Sequence, residues 1–209
     1  MGAWPKPTPP ELDAGALPTI GRTELLLGCG SSRERRIIID GRRVWSRLVT
    51  LDHNADHGPD VVHDLEVLPY PFEDDTFDEV HAYEVLEHLG QQGDFRTFFA
   101  QFSELWRILK PGGFLAATCP SWRSMWAWGD PSHRRVITSG SLVFLDQAEY
   151  VRQVGKTAMS DFRFCYRADF RPVPGACLED DENLLFVLQA VKPSRWSPVD
   201  ARATMLADD

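Results

Sequence analysis

No stretch of the 209-residue sequence holds the roughly 18 to 20 consecutive apolar residues that a membrane span needs. The N-terminus lacks the apolar core of a signal peptide, and Lys6 breaks the myristoylation pattern that Met1-Gly2 opens. The four cysteines, Cys29, Cys119, Cys165 and Cys177, follow neither a disulfide framework nor a zinc-knuckle spacing. They read as free thiols of a reducing compartment, so a cytoplasmic location is expected. A basic excess is missing too: the formal charge of −9 argues against a broad, sequence-independent grip on nucleic acid. His53, His57 and His63 lie near one another, but no carboxylate–histidine spacing accompanies them, so no metal is expected. Internal repeats and low-complexity tracts are also absent.

What is present fits one globular domain, with 43% apolar and 25% charged residues. Residues 1–20 carry five prolines and read as an extended arm, residues 21–193 as the domain, and residues 194–209 as a solvated tail. "ELLLG" (24–28) reads as a buried strand. "RIIIDGRRVW" (36–45) follows where a helix is usual. Its β-branched run disfavours helix, and Asp40-Gly41 suits a two-residue turn, so a β-hairpin is expected. Six arginines fall between positions 33 and 47, as a solvated hairpin surface or as a surface for a phosphate-bearing substrate or partner.

Further strands are expected in "SRLVTLD" ending at Asp52, "PDVVHD" ending at Asp64, "FDEVHAY" (77–83), "FLAATCP" (114–120), "FRFCYRADF" (162–170) and "NLLFVLQAV" (183–191). Phe95, Phe98, Phe102, Leu105, Trp106 and Leu109 recur at helical spacing, with Asp94 as cap and "KPGG" as stop. Residues 139–153 read as a second helix. Alternating strands and connectors, closed by a long hairpin, imply an α/β fold: a mostly parallel sheet with an antiparallel C-terminal edge. Ligands of such sheets sit beyond the carboxyl ends of the strands. That rule selects Gly28 to Ser32, Asp52-His53, Asp64-Leu65, Tyr83 to His88 and Thr118 to Trp122. Glycines at the first strand end admit close backbone approach. Acids at the next two strand ends suit ribose hydroxyls and a purine amino group.

Four stretches taken together resemble one family: "LLLGCGS" (25–31), "LVTLDHN" (48–54), "VVHDLEVLPYPFEDDTFDEVHAYEVLEHL" (61–89) and "LWRILKPGGFLAATCPS" (105–121). The chain is similar to class I S-adenosylmethionine-dependent methyltransferases of type 11, and to a shortened branch in which a hairpin-like connector replaces the first helix. Ser32 stands where a third glycine is common. The resemblance implies a Rossmann-like sheet of about seven strands and S-adenosylmethionine as cofactor. It implies that Gly28, Cys29 and Gly30 meet the methionine part and Asp52 the ribose hydroxyls, with His53 beside it. Asp64 would meet the adenine amino group and Leu65 the ring, with Glu84 near the sulfonium.

A methyl group moved to an oxygen or nitrogen can call for a base of near-neutral pKa, which suits histidine. His133 and His88 are the candidates. Trp122, Trp126, Trp128 and Arg134 would face the acceptor, a small or medium molecule such as a sugar, nucleotide or metabolite, or else form a lid. The sequence holds no Asp/Asn-Pro-Pro-Tyr/Phe motif, and a polynucleotide acceptor is not favoured. Two alternatives stand beside this reading: a non-catalytic cofactor-binding scaffold, and a nicotinamide-dependent oxidoreductase, for which "LKPGG" and "EVLEH" have no use. Short connectors predict an uncovered sheet face, to be covered by the arm with Trp4 or by a second subunit in a homodimer.

Overall fold

The computed structural model describes residues 11–12 and 21–198. Its strands are β1 (Glu11–Leu12), β2 (Glu24–Leu27), β3 (Ile38–Ile39), β4 (Leu48–Asp52), β5 (Val61–Val62), β6 (Phe77–Tyr83), β7 (Leu109–Pro120), β8 (Phe170–Glu179) and β9 (Asn183–Ala190). The helices are α1 (Phe95–Ile108), α2 (Met125–Gly129), α3 (Ser139–Leu142) and α4 (Gln147–Gln153). Seven strands form one sheet in the order β5-β4-β2-β6-β7-β9-β8. The first five are parallel, and β9 and β8 close the edge antiparallel. This is the expected Rossmann-like α/β sheet. Among the described residues, no helix is long and apolar enough to cross a membrane.

The sheet has two unlike faces. Leu25, Leu27, Val80, Ala82, Leu115 and Ala117 point to one, where Phe99, Phe102, Leu105 and Ile108 of α1 pack with Leu145, Tyr150 and Tyr166. Asp94 caps α1 by accepting the Thr97 amide at 3.1 Å, satisfying one of the unpaired amides at the helix start. On the other face Leu26, Phe114, Ala116 and Val187 meet Ile37 and Ile39. No helix covers this face between residues 31 and 47; the isoleucines of the connector do. Connector and sheet are joined by buried charge. Glu79 takes Arg22 at 2.8 Å, His81 at 2.9 Å, and also Arg35 and Arg42, while Arg35 reaches Glu24 at 2.7 Å.

Burial opposes ionisation of Glu79, but the His81 hydrogen bond and the guanidiniums of Arg35 and Arg42 hold its pKa down to about 2. Burial keeps His81 below its ordinary range, so the imidazole is neutral. The network then assigns its protons. His81 Nε2–H donates to Glu79, the Tyr83 hydroxyl donates to His81 Nδ1 at 2.6 Å, and the amides of Arg36 and Ile37 donate to the Tyr83 oxygen.

Several expectations need correction. The hairpin at 36–45 is reduced to one antiparallel bridge, Ile39 to Arg42, around Asp40 and Gly41 at positive φ. Ile38–Ile39 pairs in parallel with β1 of the arm, because Ile37 and Ile39 are drawn onto the sheet face. The rest of the arm, Trp4 included, lies outside the described residues. The arginine cluster is only partly a solvated surface: Arg35 is buried, Arg42 is spent on Glu79, and Arg33 donates to the carbonyls of Gly30, His57 and Gly58.

The strand expected at 162–170 starts only at Phe170. The amides of Cys165 and Tyr166 turn back to the Phe162 carbonyl, and Phe162 and Tyr166 stack on Phe99, so this alternation serves a helix rather than a pleat. The helix expected at 139–153 breaks at Asp146, whose extended backbone and side chain cap α4. Arg195, expected in the solvated tail, is instead pinned by Asp169 and Asp146, and Trp196 donates to the Arg163 carbonyl at 3.1 Å.

Candidate functional site

The loop after β2 turns on Gly28 (φ 53°) and Gly30 (φ 52°), a left-handed conformation that glycine adopts without a steric penalty. A Cβ on Gly28 would lie 2.5 Å from Val85 Cγ2, so the loop rests directly against the chain that leaves β6. A Cβ on Gly30 would meet nothing within 4 Å, so the space beside its Cα is open, while its amide goes to Asp52 and its carbonyl to Arg33. Asp52, at the end of β4, is 4% exposed. Its Oδ2 accepts the Gly30 amide and its Oδ1 the Asn54 amide, both at 2.8 Å. Burial alone would raise the Asp52 pKa. The two amides and the His57 ring, 3.3 Å from Oδ1, outweigh it and hold the carboxyl below its ordinary range. The acid therefore stays ionised and stiffens the glycine loop. Each carboxylate oxygen can accept more than one donor, so capacity for a diol remains. His53, beside it, is exposed.

Asp64 is exposed and caps its own turn by accepting the Glu66 amide at 2.9 Å. Leu65 is buried, and its carbonyl accepts from Gln101 at 2.9 Å. A left-handed Glu84 (φ 57°) follows β6, a conformation that costs about 1 kcal/mol or more in a residue with a side chain. Beyond it, the 3-10 turn Leu86–His88 carries Glu87, which lies inside the selected stretch 83–88 but has no role assigned from sequence. Glu87 is 2% exposed, and neither carboxyl oxygen meets a hydrogen-bond donor in good geometry. Burial, then the nearby Glu84 charge, pushes its pKa up to about 8. A lone acid inside the apolar run "VLEHL" is the signal that could have found it.

His88 and His133, separated by 45 positions in sequence, come together with ring centroids 4.8 Å apart. The loop 130–136 is tied to residues 87–92 by backbone contacts. The amides of Arg134 and Arg135 both donate to the Glu87 carbonyl, at 2.9 and 3.1 Å, and Gln92 donates to Arg134 O at 2.9 Å. Arg134 itself pairs with Glu66. The tryptophans expected at an acceptor pocket remain open, Trp122 at 46%, Trp126 at 50% and Trp128 at 68% exposure. Trp126 reaches the histidines through its carbonyl only, which accepts His133 Nδ1 at 2.9 Å. A cavity of about 180 Å³ instead lies beside this loop, lined by Phe95, Phe98, Phe99, Arg135, Phe144 and Phe162 among others. None of the three tryptophans lines it.

Residues 25–117 match the model of a family described as a methyltransferase domain. Among curated proteins none matches the chain. Solved structures resemble it at low identity. One is a SAM-dependent methyltransferase from Archaeoglobus fulgidus, 16% identical, covering 80% of this chain and 86% of its own, with a TM-score of 0.49. Another, from Mesorhizobium loti, is an S-adenosylmethionine-dependent methyltransferase, 16% identical, covering 83% and 93%, with a TM-score of 0.47. The N-methyltransferase NodS from Bradyrhizobium japonicum, solved with S-adenosyl-L-homocysteine, is 15% identical, covering 81% and 78%, with a TM-score of 0.47. The segment that matches the methyltransferase-domain model, residues 25–117, includes the glycine turn and the acidic strand end.

Proposed function

We propose that the chain binds S-adenosylmethionine at the carboxyl ends of β2, β4 and β5 and transfers its methyl group to an oxygen or nitrogen of a small or medium acceptor. The observation that carries this reading is the ionised Asp52 carboxylate held 2.8 Å from the Gly30 amide, beside open space at the Cα of Gly30. The site fits the cofactor: a carboxylate suits a ribose diol through charge-assisted hydrogen bonds, and the space beside the glycine turn suits the methionine end. When bound, the cofactor supplies an electrophilic methyl on a sulfonium. The protein's share is to orient the acceptor and exclude water, where proximity supplies much of the rate. Asp64 and Leu65 stand at the next strand end for the adenine, and Glu84 at the next for the sulfonium side. On this reading His88 or His133 would take a proton, and Trp122, Trp126, Trp128 and Arg134 would face the acceptor.

Calorimetry of S-adenosylhomocysteine with the native chain and with Asp52→Asn tests the site. The expected result is binding that weakens by about 10-fold or more, equivalent to about 1.4 kcal/mol. Equal affinity in both proteins would overturn the role of Asp52, and no binding by the native chain would overturn the reading. Cofactor binding without release of S-adenosylhomocysteine across an acceptor panel would leave a scaffold.

A further inference from the structure

We propose that Glu87, His88 and His133 form a binding site for a divalent cation of the zinc or cobalt class. One carboxylate oxygen and one ring nitrogen from each histidine lie within 4.8 Å of one another. Both rings are anchored through Nδ1. His88 Nδ1 faces the Ser132 carbonyl at 3.2 Å and His133 Nδ1 the Trp126 carbonyl at 2.9 Å. A carbonyl accepts only, so each Nδ1 carries the proton and each Nε2 presents a lone pair. This is the carbonyl-anchored arrangement that fixes the tautomer of metal-binding imidazoles. His133 Nε2 stands 4.0 Å from Glu87 Oε1 and 3.9 Å from Asp130 Oδ2.

Glu87 supplies an independent sign of a missing partner. It is 2% exposed, its close polar side chains are the Cys119 thiol and Glu84, and neither oxygen meets a donor in good geometry, which makes burying the carboxyl costly. The neighbouring cations turn away: Arg134 pairs with Glu66, and Arg135 donates to the carbonyls of Gln91 and Asp94. Donors around a tetrahedral zinc lie about 3.4 Å apart, so the three side chains need to close by up to about 1.4 Å. Two imidazoles and one carboxylate favour borderline transition cations over magnesium or calcium. Three protein ligands leave coordination positions for water or an acceptor oxygen. Only that use rests on the methyltransferase reading. The expectation of no metal rested on His53, His57 and His63, none of which belongs to this cluster.

The test is titration of the full chain with cobalt(II) chloride, followed by its visible absorption, for the native protein, Glu87→Gln and His133→Ala. The native chain is expected to take up one Co2+, with the absorption of a site bearing nitrogen ligands. Each variant should weaken uptake by about 10-fold or more. Glu87→Gln keeps the shape of the buried side chain, and thermal melting checks that both variants fold. S-adenosylhomocysteine binding by the native chain is measured alongside. Co2+ uptake equal in native and variant chains, or none in the native chain, would overturn the proposal. Co2+ uptake without S-adenosylhomocysteine binding would sustain it while overturning the cofactor reading.

Discussion

The two faces of the central sheet solve the same burial problem by different chemistry. On the α1 face, leucine, valine, phenylalanine and tyrosine side chains meet a helix that satisfies its own backbone. On the other face an irregular connector lies over Glu24, Glu79 and His81, all fully buried. A connector without helix or ladder leaves its amides and carbonyls to find partners elsewhere. Here the sheet and the connector supply them to each other. Tyr83 takes the amides of Arg36 and Ile37, Glu24 takes the Ser46 amide at 2.6 Å, and Trp45 Nε1 reaches the Arg33 carbonyl at 2.6 Å. Discarding a helix thus requires buried charge below it, and that charge requires arginines above it. Arg33 extends the same economy to the glycine loop by bonding the Gly30 carbonyl at 2.8 Å.

The comparison breaks most severely at Glu79. Glu79→Ala leaves Arg22, Arg35 and Arg42 without their common counter-charge and is expected to cost about 3–5 kcal/mol in urea unfolding. The same residue sets an acid limit. Its folded pKa of about 2 lies below its ordinary 4.5, so its contribution is fully present above pH 4.5 and is lost as pH falls toward about 2. In Glu79→Gln that part of the pH dependence should disappear; an unchanged acid-unfolding profile would refute the assignment.

A smaller effect is expected at the apolar contact. Ile39→Ala should cost about 2–4 kcal/mol, close to the cost of Leu105→Ala on the α1 face, because both side chains are fully buried. If Ile39→Ala were near neutral, the connector would not be a true counterpart of the missing helix. The smallest effect is expected at the exposed end of the arginine cluster, where Arg43→Ala should stay within about 0.5 kcal/mol. That result, set against Glu79→Ala, would separate the buried arginines from the solvated ones.

Local sequence determined much of this protein. The parallel strands were legible because a strand buried on both sides reads as an apolar run or a strict alternation, and α1 because its apolar residues keep helical spacing. The glycine loop and the acid at the end of β4 were legible because they sit at strand ends, where a doubly wound sheet puts its ligands. Tertiary structure alone decided the rest. Whether an arginine is solvated or buried depends on a carboxylate 44 positions away, as Arg35 depends on Glu79. Whether Phe162 and Tyr166 alternate for a pleat or for a helix depends on Phe99. His88 and His133 meet over Glu87 only because the backbone of the 130–136 loop bonds to the Glu87 carbonyl. Period and propensity act over a few residues, whereas charge pairing, aromatic packing and ligand convergence act through space.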